Sequence, residues 1–359
     1  MIVSSLISIP YYAVTPGTAQ SVERLIALPS ADRHEHKGSF LLVDVELIAL
    51  RAIEWPYYKL DPNVDIVPSG SLLGPETAAQ YNTEGVIDMA MAEQAAKVVA
   101  LRETGHLVSV RPAGALIYAV EQGTPAAQDL QVGEVVTALD GKAVTDAPGL
   151  GRLISVHRPG DVVTVVDHVF QSGKSSSAKV RLGTWRIKGK GKTATVFCAP
   201  FGRDTALPIL HRSPDTGQQV SVAPCVGALD VRTNYAIGKL PFPVNLNSEG
   251  IVGPSAGLAF TLGLMQQLDP FDLTGGHKVA ATGTMSVTGQ VGDVGGVAQK
   301  TIAVRNAGAR IFLVPTQEYK VALAHAGNKL KVYAVSSIAQ AIKVLQSYGG
   351  KLPPRPSNS

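Results

Sequence analysis

The segment from Leu258 to Leu268 constrains the fold more than any other part of this sequence. Apolar side chains recur there at i, i+3, i+4 and i+7, and Phe260 and Leu264 add apolar surface outside that face. A helix of this kind has to be covered on nearly every side, so it is predicted to lie within a domain core. With 45% hydrophobic and 17% charged residues, the 359-residue chain can build such cores and is not expected to be disordered.

A serine stands directly before this helix, within the stretch Gly253–Gly257. Small neighbours leave the Ser255 hydroxyl uncrowded, and a helix start offers free backbone N–H groups and a dipole that favours negative charge. A serine nucleophile with an oxyanion hole needs these features. Considered alone, the pattern also fits an ordinary N-cap serine behind a glycine turn.

A second helix is predicted to open at Gly295 and to end at Gly308, with Lys300 in its first turns among small apolar residues. Poor solvation and the positive end of the helix dipole both disfavour the ammonium form there, which lowers the lysine pKa from about 10.4. A lysine with a pKa nearer about 7–8 can act as the general base for a serine hydroxyl.

Taken together, residues 242–314 resemble the proteolytic domain of Lon proteases. The resemblance rests on four motifs in the family's order and spacing: PSAG at 254–257, TG at 282–283, GQV at 289–291 and GGVAQK at 295–300. The DLTGG segment at 272–276 also resembles a branch in Gram-positive bacteria in which a PDZ-like domain precedes a stand-alone Lon protease domain.

The resemblance implies a role for each matched residue. Ser255 would be the nucleophile, Lys300 the general base and then acid, and Thr282 the hydroxyl that orients the lysine. The backbone N–H of Ser255, with that of Val252 as a second candidate, would bind the oxyanion. Many Lon proteases carry an acidic residue at the position of Val252, so activation is expected to differ here. Lon domains form rings in the family, which implies a homo-oligomer.

Upstream, residues 108–184 resemble the PDZ family, with a GTPAA turn at 123–127, a GEVV segment at 133–136 and an Asp140–Gly141 hairpin turn. Asp146 is predicted to be the N-cap of a short helix that ends near His157. PDZ domains capture extended peptides beside a strand. The resemblance places the loop before that strand near Gly105 to Val110, where no clear signature occurs. A PDZ-like spacer without a ligand is therefore an open alternative.

The N-terminal region, residues 1–107, is predicted to contain a strand at Phe40–Leu50 with one solvent-facing side and, directly after Gly85, a helix at Val86–Thr104. Residues 1–14 are apolar and uncharged but too short to span a bilayer. They fit either a first strand or the end of a membrane helix. The family resemblance implies a single-pass anchor at the cell membrane with the protease region outside the cytoplasm.

We therefore predict an α/β (α+β) protein with a Lon protease-domain fold over 185–350, preceded by a PDZ-like β-rich domain at 108–184 and the region 1–107. The protease domain is predicted to end with a helix from Ser337 to Gln346, whose apolar residues, Ile338 among them, fit one face. Residues 351–359 form a polar tail. No G-x-x-x-x-G-K-[ST] stretch occurs, so these residues encode no ATPase motor. Polypeptide substrates are expected, and no cofactor, metal or nucleic acid.

Two further points stay open in the sequence. Cys198 and Cys225 lack metal-like spacing, so a buried thiol and a disulfide are both compatible with it. The chain could also be a PDZ adaptor on a peptidase scaffold that no longer cleaves, or a membrane-tethered sensor.

Overall fold

The computed structural model describes residues 7–74, 77–120, 124, 126–188, 195–199, 211–212, 219–220, 224–226, 228–248 and 250–352. The chain divides into two compact units. The first unit joins two separate stretches, Met1–Val110 and Ile237–Ser359, and the second unit is the continuous stretch Arg111–Ala236.

The strands of the described residues are numbered in chain order. They are β1 (Ser8–Ser21), β2 (Ile26–Ala27), β3 (Ser39–Arg51), β4 (Asp65–Pro68), β5 (Val110–Val120), β6 (Glu134–Leu139), β7 (Lys142–Ala143), β8 (Val162–Val169), β9 (Ser175–Arg181), β10 (Gly183–Lys188), β11 (Thr195–Ala199), β12 (His211–Arg212), β13 (Gln219–Val220), β14 (Pro224–Cys225), β15 (Ala228–Ile237), β16 (Asn245–Leu246), β17 (Lys278–Ala281), β18 (Thr284–Met285), β19 (Val291–Gly292), β20 (Ile311–Pro315) and β21 (Lys331–Val335).

The α-helices of the same residues are α1 (Trp55–Leu60), α2 (Ser69–Leu73), α3 (Ala78–Glu103), α4 (Ala126–Asp129), α5 (Ala147–Ser155), α6 (Gly257–Leu268), α7 (Val297–Asn306), α8 (Tyr319–His325) and α9 (Ile338–Gln346). A short 3-10 helix, Pro254–Ala256, runs directly into α6. The predicted helices around Leu258, Lys300 and Ile338 are confirmed, while α3 begins eight residues earlier than the sequence pattern indicated.

The first unit is built on a six-stranded sheet with the order β21-β20-β17-β3-β1-β4. The strands from β21 to β3 are parallel, and β1 pairs antiparallel with both β3 and β4. Phe40 of β3 lies opposite Val279 of β17, so the two distant stretches of the unit meet in the middle of this sheet. Neither stretch contains the whole sheet.

Helices cover both faces of this sheet, which confirms the α/β prediction. Phe40 and Leu42 of β3 join a core with α3, α6 and α9, whereas Leu41 and Val43 join a second core with α7 and α8. The prediction that β3 has one solvent-facing side is therefore wrong for its first half, because that half lies between two helix layers. Further along the strand, Leu47 is 38% exposed.

The second unit contains an antiparallel sheet with the order β15-β5-β6-β8-β9, and β7 pairs with β6. Asp140 and Gly141 both have positive φ, 47° and 74°, and form the predicted hairpin turn between β6 and β7. Asp146 caps α5 as predicted, since its Oδ1 accepts a hydrogen bond from the Gly149 N–H at 2.6 Å. Leu150 of α5 belongs to the core of this unit.

The structure groups the N-terminal region differently from the sequence-based division at residue 107. Strands β1, β3 and β4 and helix α3 belong to the same unit as α6 and α7, because β3 pairs with β17 and α3 shares a core with α6. From Ser8 the chain is strand β1. Within the described residues, no helix combines the length and apolar character needed to cross a membrane.

Candidate active site

The serine segment adopts the tight geometry that its small residues indicate. Gly253 has φ of 96°, and Pro254 occupies the first position of the 3-10 helix that leads into α6. Proline has no N–H, so the Ser255 N–H is the first backbone donor at this helix start, where donors lack partners within the helix. A Cβ on Gly257 would lie 2.8 Å from the backbone N of Met285, which explains the need for glycine there.

Helix α3 supports this serine segment from the N-terminal stretch of the same unit. The Gly253 N–H donates a hydrogen bond to the Gly85 carbonyl at 2.7 Å. A Cβ on Gly85 would lie 3.2 Å from both Cβ and Cγ2 of Val252, so the two segments approach closely because residue 85 is glycine. The sequence analysis treated Gly85 only as the residue before a helix and missed this contact.

Lys300 is buried in α7, with 3% of its surface exposed. Its backbone N–H donates to the Gly296 carbonyl at 2.9 Å, and Gly296 begins the helix with φ of 67°. Burial lowers the pKa of Lys300 to about 8, and the carboxylates of Asp44 and Glu318 act in the opposite direction. The sequence analysis expected this lowering but did not identify either carboxylate.

Thr282 connects the lysine to the serine segment. The Lys300 Nζ donates to the Thr282 Oγ1 at 3.4 Å, and this hydroxyl donates to the Ser255 carbonyl at 3.3 Å. The Gly283 N–H donates to the same carbonyl at 2.9 Å, and the Leu258 N–H donates to the Gly283 carbonyl at 3.0 Å. The structure thus brings Ser255, Thr282 and Lys300 together at one place, while their catalytic roles stay predictions.

The Ser255 hydroxyl makes no hydrogen bond to any residue that the structure describes. Ser255 is half-buried, whereas Thr282 is fully buried. A serine with this exposure and no competing hydrogen bond can meet a substrate carbonyl, and catalytic hydrogen bonds often tighten only when substrate is bound.

The position of the buried Thr282 hydroxyl follows from the sheet. Thr282 comes directly after β17, and its N–H donates to the Leu313 carbonyl of β20 at 3.0 Å. Glu318 follows β20, which is parallel to β17, so both residues lie at the carboxyl ends of neighbouring strands. This rule would have identified Glu318 as a candidate site residue from the sequence.

The DLTGG segment has a structural part in the first unit. Asp272 Oδ1 accepts hydrogen bonds from the Gln266 side chain at 3.1 Å and from the Thr274 N–H at 2.9 Å. A Cβ on Gly275 would lie 2.3 Å from the Tyr348 carbonyl, so this glycine permits a close approach of the C-terminal chain. Glu249, in the loop before the serine, lies outside the described residues.

Comparison with known proteins identifies two family models that match parts of this chain. A family model described as "Lon protease (S16) C-terminal proteolytic domain" matches residues 249–347, which include all three site residues. A PDZ domain model matches residues 87–182, so it begins within α3 and ends before β15.

Curated relatives fall into two groups. A Lon protease of Campylobacter concisus is 26% identical over 38% of this chain and 16% of its own length, and a mitochondrial Lon protease homolog of Neurospora crassa is 37% identical over 26% and 9%. A probable periplasmic serine endoprotease DegP-like of Halomonas elongata is 37% identical over 23% of this chain and 17% of its own length. The chain thus spans less than a fifth of these relatives, and it carries a Lon-type proteolytic domain together with a PDZ domain upstream.

Proposed function

We propose that this protein is a serine endopeptidase that works through a Ser255–Lys300 dyad without ATP and cleaves unfolded or extended polypeptides. The observation that carries the proposal is the buried Lys300 amine, 3.4 Å from a threonine hydroxyl that in turn bonds to the Ser255 carbonyl. Burying an ammonium group without a carboxylate in contact lowers the stability of the fold. Stability therefore does not explain why a lysine is buried next to a partly exposed serine, whereas catalysis does.

The mechanism follows from the protonation state of Lys300. With a pKa of about 8, Lys300 is neutral in roughly a quarter of the molecules at pH 7.5, whereas an ordinary lysine is neutral in about a thousandth. The neutral amine takes the proton of Ser255 as Oγ attacks the scissile carbonyl carbon. The Ser255 N–H at the helix start then donates to the oxyanion of the tetrahedral intermediate.

Collapse of this intermediate breaks the C–N bond of the substrate and leaves an acyl-enzyme on Ser255. Lys300 passes its proton to the leaving amine and is neutral again. In the second half, it takes a proton from the attacking water, and the carboxylic acid product leaves as the serine recovers its proton. Thr282 keeps the amine oriented through both halves by accepting its hydrogen bond.

Peptide recognition by the PDZ domain is part of the proposal, but at a different strand from the one that the sequence indicated. Strand β5, which follows the Gly105–Val110 loop, lies between β15 and β6, so both of its edges are occupied. Strand β15 is the edge strand beside it, and within the described residues its other edge pairs with no strand. The Thr233 hydroxyl of β15 accepts a hydrogen bond from the Ala147 N–H of α5 at 3.3 Å. An extended peptide can add to β15 by β-augmentation.

We propose further that the protein acts outside the cytoplasm, tethered to the membrane through its N-terminal side, as a homo-oligomer. The disulfide bond of Cys225 supports the first part, because disulfides persist in oxidising compartments. The tether and the oligomer rest on the Lon and PDZ resemblance alone.

A non-cleaving PDZ adaptor is the rival function, and one experiment separates the two. Purified wild type, Ser255→Ala and Lys300→Ala are incubated with unfolded casein in the absence of ATP, and each is also treated with a fluorophosphonate probe. Cleavage by wild type alone, with labelling lost in Ser255→Ala, is the expected result. Absence of both cleavage and labelling in all three proteins would favour the adaptor.

A further inference from the structure

The Glu318 carboxylate at the start of α8 has one hydrogen-bonded oxygen and one buried oxygen without a hydrogen bond among the described residues. Its Oε1 accepts a hydrogen bond from the Val294 N–H at 3.2 Å. Its Oε2 is buried and has no hydrogen-bond partner among the residues that the structure describes. A carboxylate oxygen withdrawn from water without a donor is costly unless a positive charge lies nearby. Asp44 and, to a smaller extent, Glu318 raise the pKa of the buried Lys300, so the Lys300 ammonium is a cation on which the Glu318 charge acts.

Glu318 also determines the geometry of the loop that begins α7. Val294 directly precedes the Gly295–Gly296 pair, and the Gly296 carbonyl accepts the first helical hydrogen bond from the Lys300 N–H at 2.9 Å. A Cβ on Gly296 would lie 2.8 Å from the Val45 Cγ1 of β3, so this loop is closely packed on its other side. Anchoring Val294 therefore fixes where the lysine-bearing helix starts.

The other charged groups around α7 differ from Glu318. Asp44 of β3 is fully hydrogen-bonded, because its Oδ1 accepts from the Thr18 N–H at 2.6 Å and its Oδ2 from the Thr18 hydroxyl at 3.0 Å. Asp65 of β4 accepts from the Gln299 amide at 2.8 Å. Strand β1 carries no charged residue, and its titratable side chains are Tyr11 and Tyr12. On α8, Lys320 is exposed, Tyr319 is half-buried and the His325 ring contacts the Val321 carbonyl. Among these groups Glu318 alone has a buried oxygen left without a donor.

We propose that Glu318 is a positioning residue for Lys300: its Oε1 anchors the loop that begins α7, and its Oε2 stabilises the lysine ammonium that forms when Ser255 loses its proton. The inference rests on the proposed dyad. In the catalytic cycle the positive charge appears on Lys300 during each attack step, inside a site where the neutral Thr282 is the hydrogen-bond partner. A fixed negative charge at α8 offsets part of the cost of forming that charge.

The test compares the pH dependence of kcat/KM for casein-derived peptide cleavage in three variants. Glu318→Gln keeps an acceptor for the Val294 N–H but removes the negative charge. The ascending limb of the kcat/KM profile should therefore shift to lower pH by about one unit, while its plateau stays within about threefold of the wild-type value. Glu318→Ala also removes the anchor, so the plateau should fall by about tenfold more. Glu46→Gln on β3 is the matched control, because that carboxylate is exposed and its loss changes net charge equally.

A second readout separates this inference from the dyad itself. In a Ser255→Ala background, the Lys300 side chain is titrated by ¹³C NMR of labelled lysine, with its signal assigned by its absence in Lys300→Met. A midpoint that falls in Glu318→Gln and not in Glu46→Gln supports the role of Glu318, even if the wild type cleaves nothing. A midpoint that is unchanged in Glu318→Gln overturns it, even if the protein is an active protease.

Discussion

The two units of this chain are assembled from the sequence in different ways. The second unit is one continuous stretch, and most of its sheet lies within the PDZ match at 87–182, which misses β15. The first unit needs both ends of the chain, because β3 and β17 pair in the middle of its sheet. The proteolytic-domain match at 249–347 therefore contains the serine, threonine and lysine but not α3 or β3, which hold them in place.

The residues proposed to react and the residues that support them thus lie in different parts of the sequence. The reacting groups sit in short motifs after residue 250, whereas Gly85 and Asp44, which contact or influence those groups, come from the N-terminal stretch. Five predictions test this separation, beginning with the largest expected effect.

Removing the N-terminal stretch should abolish folding of the catalytic unit. A fragment of residues 237–359 keeps β20 but lacks β3, the other neighbour of β17, and it also lacks the α3 side of α6. The fragment therefore exposes a large apolar core and one edge of a central strand. We expect no cooperative thermal transition by circular dichroism. The fragment 111–236, a complete unit, should unfold cooperatively; two equally cooperative fragments would contradict the division into these units.

Replacing the buried lysine should remove activity and raise stability. The pKa of Lys300 is lower in the folded protein, about 8, than the ordinary 10.5, so the unfolded chain binds more protons between these values and stability rises with pH across that window. Lys300→Met should therefore stabilise the protein at pH 7, by at most on the order of 3 kcal/mol.

The same pKa predicts the pH dependence of both properties. Cleavage by the wild type should rise with pH around a midpoint near 8, because only the neutral amine accepts the serine proton. Urea denaturation at pH 7 and pH 10 checks the stability change, and the advantage of Lys300→Met should shrink at the higher pH. An advantage that is equal at both values would show that the substitution acts through packing alone.

Thr282→Val should reduce kcat by about tenfold to a hundredfold and leave KM nearly unchanged. The substitution preserves the side-chain shape but removes the hydroxyl that links Lys300 to the Ser255 carbonyl. Thr282→Ser is the control, since it retains the hydroxyl and should recover most of the activity. A Val variant with wild-type kcat would mean that the lysine is oriented by its burial alone.

The smallest effects are expected from two glycine substitutions, one in each unit, of which only the one in the first unit should affect cleavage. Gly85→Ala places a methyl group 3.2 Å from Val252 and should displace the serine segment, with a loss of a few-fold in kcat. Gly151→Ala in α5 meets nothing within 4 Å and should stabilise its helix by up to about 1 kcal/mol without affecting cleavage. Steady-state kinetics and thermal melting of both variants measure these effects.

Local patterns in the sequence predicted much of the second unit and the site residues. The Asp140–Gly141 turn, the Asp146 cap and the buried helix α6 depend on residues close together in the chain, and all three are confirmed. The solvent-facing side of β3 was predicted wrongly, because its pattern does not reveal that helices from both ends of the chain cover it.

The sequence by itself determined which groups are available for chemistry: a serine among small residues at a helix start, a lysine among apolar neighbours and a threonine after a buried strand. The tertiary structure alone decided what surrounds them. Gly85 meets Val252, Glu318 accepts a hydrogen bond from Val294, and β15 rather than β5 forms the sheet edge among the described residues. Motifs describe short-range conformation, whereas the burial and charge that tune Lys300 arise from segments that meet only when the chain folds.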